Sequence, residues 1–283
     1  MSADAPEETV RRANPEAYLA SLFAPAGVRE ALWALHAFDA ELARIALTVS
    51  ESVIGEMRLA WARDAVSDLF ADPPRVRRHP VYEALAGLRS MPGAPDEKSL
   101  ITLVEARNAD LGEGAFPDAA ERERYADRSA GLVIRLAARL CAPDWQPDGK
   151  AETALTAAGR LVACAGMLRD FARLSASGRP PVTQDELAAS GAGLEALRRG
   201  LQPDAALRAR AGLMNAARTA AAALDATRKS LPSQVFPALG HVTLARGTLK
   251  ASHRQRDPYA PLADTPDLVR QGRLLGASLT GRI

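Results

Sequence analysis

The stretch Val28-Arg-Glu-Ala-Leu-Trp-Ala-Leu-His-Ala-Phe-Asp-Ala-Glu-Leu-Ala-Arg-Ile-Ala-Leu-Thr-Val49 decides the fold. Its apolar residues Leu32, Leu35, Leu42, Ile45 and Val49 recur at intervals of three, four and seven, the spacing of one face of an α-helix. The same spacing runs through residues 54–70, 81–88, 99–111, 122–141, 151–174, 185–201, 205–231 and 235–251. Few runs show the β-branched alternation of strands. Alanine is abundant; it favours helices and lets them approach closely. The breaks fall where helices stop: Pro73-Pro74, Pro92-Gly-Ala-Pro95, Gly112-Glu-Gly114, Pro143, Pro147, Gly178-Arg-Pro-Pro181 and Pro203. Asn14-Pro15, Thr183 with Glu186 three residues on, and Pro203-Asp204 have the chemistry of helix starts. The pattern predicts an all-α, single-domain bundle of about eight to ten helices. The expected layout is a flexible N-terminus over 1–13, the helical domain over 14–256 and a basic amphipathic tail over 257–283.

Composition supports a folded, core-forming chain: 47% hydrophobic and 25% charged residues in 283. It excludes a disordered protein. No apolar run of about 18 residues marks a transmembrane helix. The acidic start Met1-Ser-Ala-Asp-Ala-Pro-Glu-Glu8 argues against a secretory signal or an Arg-rich transit peptide, and the chain is expected to be cytoplasmic. Cys141 and Cys164 are too few for a disulfide framework or a zinc site and read as small buried thiols.

The formal charge of +2 hides an asymmetry. From Arg228 onward there are nine basic and three acidic residues, a net of +6, so the first 227 residues carry −4. A basic tail favours an anionic membrane or an acidic partner, or is simply solvated. Within it Pro258, Pro261 and Pro266 predict extended chain. Leu268, Val269, Leu274, Leu275, Leu279 and Ile283 among Arg270, Arg273 and Arg282 then predict a short amphipathic helix. That helix either lies on a membrane surface, peripheral at its inner face, or packs back on the body.

Several segments share their order and spacing with a known family. They are Tyr18-Leu-Ala-Ser-Leu-Phe-Ala-Pro25, Leu32-Trp-Ala-Leu-His-Ala-Phe38, Arg58-Leu-Ala-Trp-Ala-Arg-Asp-Ala65 and His79-Pro-Val-Tyr-Glu-Ala-Leu85. Further on come Glu105-Ala-Arg-Asn-Ala-Asp-Leu111, Tyr125-Ala-Asp-Arg-Ser-Ala-Gly131, Leu168-Arg-Asp170 and Gly178-Arg-Pro-Pro-Val-Thr-Gln-Asp-Glu-Leu187. Together, from about Asn14 to Leu249, they resemble the squalene/phytoene synthase family of head-to-head prenyl transferases. The resemblance implies the all-α isoprenoid synthase fold. It also implies a chemistry in which an allylic diphosphate ionises and Mg²⁺ neutralises the leaving group. Carboxylates four residues apart share a helix face, so paired aspartates on two facing helices are the family's clamp.

This sequence lacks those pairs. The first motif, aligned on His36-Ala-Phe38, falls at Ala43 and Leu47, and Ala40 stands where the family has a basic residue. The second falls at Gly166, Asp170 and Leu174, keeping one acid of three positions. The nearby acids Asp39 and Glu41 are two apart and face different ways on a helix. Asp170 beside Arg169 reads as an ion pair. Asp110, with Glu105 and Arg107 near it, either lines the old cavity mouth or makes polar contacts between helices. Asp39, Glu41, Asp110 and Asp170 are thus vestigial site candidates. Asp64 and Asp68 have clamp spacing, but no second pair completes a metal site. His36, His79, His241 and His253 have no ligand spacing and are expected to be satisfied or exposed. No catalytic residue, metal or cofactor is expected, with Mg²⁺ entering only if the enzyme reading holds. There is no Gly-rich phosphate loop, nucleophile elbow or zincin motif. With aromatics at 5%, a nucleic-acid surface is not expected.

Phe38-Asp-Ala-Glu-Leu-Ala-Arg44 and the residues from Val49 to Arg58 resemble the diverged branch that includes the mitochondrial complex I assembly factor 6 proteins. That resemblance implies a pseudoenzyme acting in assembly of the respiratory NADH:ubiquinone oxidoreductase, with complex I subunits or other assembly factors as partners. A lipid, isoprenoid or nascent partner helix could occupy the cavity. The absent transit peptide fits a bacterial relative. The alternatives are an active Mg²⁺-dependent prenyl transferase making a phytoene- or squalene-type product, or a lipid-binding protein with neither role. Fold alone does not choose among them.

Overall fold

The computed structural model describes residues 4–49, 51–263 and 265–280. Arg282 and Ile283, counted above in the amphipathic tail, lie outside the described residues. The chain is all-α and a single domain, with no β-strand pairing beyond one bridge, Phe116 to Thr183, among the described residues. The helices are α1 (Pro6–Ala13), α2 (Pro15–Ser21), α3 (Ala26–Thr48), α4 (Ser52–Phe70), α5 (Pro80–Leu88), α6 (Glu97–Ala106), α7 (Ala119–Ala126) and α8 (Leu132–Cys141). They continue with α9 (Gly149–Arg169), α10 (Phe171–Ala176), α11 (Gln184–Ser190), α12 (Leu194–Arg198), α13 (Pro203–Thr227), α14 (Phe236–Leu239), α15 (Val242–Arg254) and α16 (Asp267–Thr280).

There are more helices than the eight to ten expected, because several periodic runs are cut by one residue. The run 151–174 breaks at Asp170, whose ψ of 10° ends α9 before α10 begins. The run 185–201 breaks at Gly191, which takes φ +73° at the end of α11, a left-handed cap that glycine adopts without steric cost. The run 122–141 bends through a π-turn over Asp127–Gly131 between α7 and α8. There Gly131 meets Gly159 of α9, and a Cβ added to Gly159 would stand 2.4 Å from the Gly131 Cα. Two glycines therefore let these helices touch backbone to backbone.

The expected helix starts are present. The Asn14 side chain accepts from the Ala17 N–H at 3.1 Å, and Thr183 and Glu186 form a reciprocal capping box. Pro203 opens α13, although Gln202 before it supplies no side-chain cap. At the N-terminus, α1 begins well before Asn14. Val10 is fully buried and joins the main core, packing α1 on α3. One apolar side chain anchors this helix, too sparse a pattern to read from sequence.

The central packing is α9 against α13 and α15, with α3 running alongside α8. One apolar core extends from Val10 to Ala277, with Leu32, Leu35, Phe38, Leu42, Leu103, Ile134 and Leu161 among its fully buried members. A second, smaller core around Phe171, Val182 and Leu197 packs the 178–209 region. Two loops are zipped beside it. Gly114 N–H donates to Gly178 C=O at 2.8 Å, Phe116 N–H to Val182 C=O at 2.9 Å, and Gln184 N–H to Phe116 C=O at 2.8 Å. A buried ion pair fixes the same corner: the Arg122 Nη1 and Nη2 atoms donate to Glu186 at 2.6 and 2.8 Å. Gly212 leaves room for it, since a Cβ there would lie 1.7 Å from Glu186 Oε1.

Of the two placements expected for the C-terminal helix, the structure shows packing on the body. Leu274 and Ala277 bury against α2 and α15, so the helix packs on the body. Its outer side leaves Leu268 and Leu279 82% and 86% exposed. Both cysteines are free, and burial pushes their thiols up, Cys141 to about 12 and Cys164 to about 11, as inert packed thiols require.

Two histidines depart from expectation. His36 of α3 and His241, just before α15, are both buried and meet edge to face with ring centroids 6.0 Å apart. His241 Nδ1 has no hydrogen-bond partner among the described residues, so this ring is neither exposed nor satisfied. Burial lowers the pKa of His36, against the opposing charge of Asp39. Burial and then the His36 ring lower His241 to about 3. The unfolded chain takes up protons near the ordinary value of 6.5, whereas the folded state stays neutral. Stability is therefore complete above about pH 7 and falls as pH drops below 6.5, by about 2 kcal/mol for His241 between pH 7 and pH 5. Urea unfolding of His241→Leu at both pH values should show a difference smaller by about that amount; an unchanged difference would show that His241 is not held neutral.

Candidate functional site

Ala43 and Leu47 lie one and two turns along α3 from Asp39. Gly166 lies in the last turn of α9, Asp170 at its end and Leu174 in α10. All six residues line a single cavity of about 240 Å³. The fold therefore brings the two sets of motif positions face to face across one space, as a diphosphate clamp would need. At the five motif positions the side chains are a methyl group, a leucine pair and a bare glycine, with one carboxylate. At Gly166 an added Cβ would meet nothing within 4 Å.

That carboxylate, Asp170, is paired with Arg173 at 2.5 Å on the exposed rim. Its partner is not the adjacent Arg169, which reaches instead to Glu16 at 3.1 Å and to Thr248. The cause is helical geometry, since neighbours in sequence point about 100° apart whereas residues three apart meet.

The interior wall carries a denser network. The short helical turn Arg107–Asp110 follows α6. From it the Arg107 guanidinium donates through Nη2 to Asp39 Oδ1 in a short contact. Its Nη1 donates to Tyr125 OH at 3.2 Å and to Asp110 Oδ2 at 3.4 Å. Tyr125 OH in turn donates to Asp110 Oδ1 at 2.8 Å. Burial opposes the charge of Arg107, yet Asp39, Tyr125 and Asp110 together hold its pKa well above the ordinary value. Burial, then Asp110, pushes the Tyr125 hydroxyl upward against the pull of Arg107. One cation thus ties α3, the 107–110 turn and α7 together.

The remaining candidates lie apart from this cavity. Glu41 turns away from Asp39 and sits 3.9 Å from Arg44. Glu105 pairs with Arg128 at 3.1 Å. Asp68 is held by Arg75 and Arg77, each at 2.5 Å, and Asp64 is exposed. A second cavity, of about 520 Å³, adjoins the first and shares Asp110, Tyr125, Met167, Leu174 and Arg179 with it. Arg107 is the residue whose part sequence reasoning missed. The i, i+3 spacing to Asp110 signalled that pairing, but the bond to Asp39 crosses 68 positions and has no local trace.

A family model for squalene/phytoene synthases matches residues 10–272. The chain belongs to the squalene/phytoene synthase family. Among solved structures, the squalene synthase HpnC of Alicyclobacillus acidocaldarius superposes with a TM-score of 0.73 at 20% identity, covering 91% of this chain and 94% of that one. A dehydrosqualene synthase gives 0.77 at 16% identity, covering 98% and 94%. At such identities the likeness is one of fold. Among named relatives, the NADH dehydrogenase (ubiquinone) complex I assembly factor 6 of Bos taurus is 30% identical over 140 residues, 46% of this chain and 38% of that protein. Its Homo sapiens counterpart is 29% identical over the same length. The matched stretch therefore spans well under half of those relatives.

Mg²⁺ demands near-octahedral oxygen ligation, usually through carboxylates plus phosphates and waters. Among the described residues no three His, Cys, Asp or Glu side chains gather to hold a metal. Asp39 and Asp110 face an arginine, and Asp170 lies on the rim with another. This donor set does not fit a metal clamp, and no catalytic step is derived through one.

Replacing Arg107 with Leu strands two half-buried carboxylates, which costs about 3 kcal/mol or more. Chemical unfolding should show that loss, and Asp39→Asn in the same chain should recover part of it in a double-mutant cycle. Losses that simply add would mean that Arg107 and Asp39 do not interact.

Proposed function

We propose that this protein has given up head-to-head prenyl transfer and acts in assembly of the respiratory NADH:ubiquinone oxidoreductase. The observation that carries the reading is the cavity itself. Its five motif positions hold one acid, Asp170, already paired with Arg173, while the two inner acids share Arg107. Ionising an allylic diphosphate needs concentrated positive charge placed where the leaving group forms. The cavity wall supplies three arginines and three aspartates, which leaves no surplus. The likeness to assembly factor 6 over 140 residues supplies the direction of the functional reading. Complex I subunits or other assembly factors are then the partners, and a lipid or isoprenoid is the natural occupant of the paired cavities.

The second reading is an active Mg²⁺-dependent prenyl transferase. What favours it is the fold, which matches a squalene and a dehydrosqualene synthase along almost the whole chain.

For location we propose a peripheral membrane contact through 257–283. No helix among the described residues is long and apolar enough to cross a membrane. The exposed leucines of α16, with Lys250, His253, Arg254 and Arg256 exposed nearby in sequence, support an interfacial contact.

Pure protein incubated with farnesyl or geranylgeranyl diphosphate and Mg²⁺ should release no diphosphate. Release that disappears in Asp170→Ala would establish the enzyme reading instead. Deleting the gene should lower NADH:quinone oxidoreductase activity and leave isoprenoid levels unchanged. The full chain should float with anionic liposomes and a chain ending at Arg256 should not; equal flotation would remove the tail from the membrane contact.

A further inference from the structure

Helix α4 carries an apolar row on its outer face. Val53, Met57 and Trp61 follow one another at four-residue spacing and are 59%, 67% and 45% exposed. Ile54, 39% exposed, extends the patch. At 1.5 Å per residue the row is about 12 Å long, two turns and more of continuous apolar surface. Isolated exposed apolar residues need no explanation, but a contiguous row of this kind marks an interaction site.

The row is not loosely built. Gly55 brings the opposite face of α4 against Leu111, leaving no room there for a Cβ. Trp61 is braced edge to face on Tyr82 with centroids 5.3 Å apart, and the Arg77 guanidinium sits 5.9 Å from its ring centre. Preorganised aromatic anchors are what binding surfaces use.

Beside it runs a second row, Glu56, Ala60 and Asp64, each three residues beyond a member of the first. Glu56 and Asp64 are exposed and make no ion pair among the described residues. The basic residues of α4 do not neutralise this border. Arg58 donates to Thr48 Oγ1 at 2.9 Å, and Arg63 pairs with neither acid.

From this juxtaposition we propose that the outer face of α4 docks an amphipathic helix of a partner protein, one whose apolar stripe is bordered by lysine or arginine. Helix-on-helix recognition of this sort reads apolar anchors at helical spacing, and the acidic border selects a basic edge. The same border disfavours an anionic bilayer, which would repel Glu56 and Asp64. It also disfavours an antiparallel pair of copies, in which the acidic rows would face one another. The site lies outside the cavity and does not depend on the reading given for it.

Two synthetic 18-residue helices of identical apolar pattern test the proposal, one built from leucine and lysine, the other from leucine and glutamate. Titrated calorimetrically into the full chain, the lysine peptide should bind at least tenfold tighter. Glu56→Lys with Asp64→Lys should reverse that preference. Val53→Ser with Met57→Ser, at positions mostly in solvent and so harmless to folding, should weaken binding at least tenfold. A preference that survives charge reversal, or binding that survives the serine variant, overturns the proposal. So does attachment to phosphatidylglycerol vesicles, or dimerisation of the free chain, if the serine variant abolishes it.

Discussion

The guanidinium of Arg107 is the constraint on which the site depends. It meets Asp39 from α3 and Asp110 from its own turn, while Tyr125 of α7 bridges back to Asp110. Three elements that would otherwise present isolated polar groups to an apolar interior are thereby joined. A charged group in such a place is tolerable only when paired and hydrogen-bonded; here Nη1 and Nη2 have partners, two of them distant in sequence, while Nε has none among the described residues. The cavity wall inherits its character from this arrangement: its inner acids already share one arginine.

A second buried pair, Arg122 with Glu186, does comparable work one layer away. Glu186 also caps α11 through the Thr183 N–H at 2.8 Å, so one carboxylate ends a helix and fixes a corner. That corner carries the 178–184 loop, which pairs with 114–116 and forms the wall of the larger cavity. The glycine at 212 is explained by the same pair, because any side chain there would occupy the space of the carboxylate.

Much of the fold was legible because helical periodicity and breakers are local signals. The long run 28–49 and the capping pair Thr183/Glu186 could be read directly. The short anchor Val10, the break at Asp170 and the meeting of Gly131 with Gly159 depend on packing between distant segments and left no pattern in sequence. The site divides in the same way. The residues Ala43, Leu47, Gly166 and Leu174 were read by resemblance, since that reading concerns residue identity. The partner of Asp170 was misread, because adjacency in sequence is not adjacency on a helix. The contact of His36 with His241 and the bond from Arg107 to Asp39 were invisible, being products of tertiary structure alone.

The residues at the facing positions have a physical logic. Carboxylates that converge on one small cavity repel each other and resist desolvation unless cations join them. A chain that keeps such acids without their ions carries a standing cost in stability. Here the facing positions are Ala43, Leu47, Gly166 and Leu174, which carry no such cost, and the acids of the cavity each have an arginine within reach. The cavity is therefore balanced by covalently attached charge. Such a wall carries its own counter-charge, three arginines to three aspartates. On the proposed reading these residues make the bundle a self-sufficient scaffold, free to present other surfaces such as the outer row of α4.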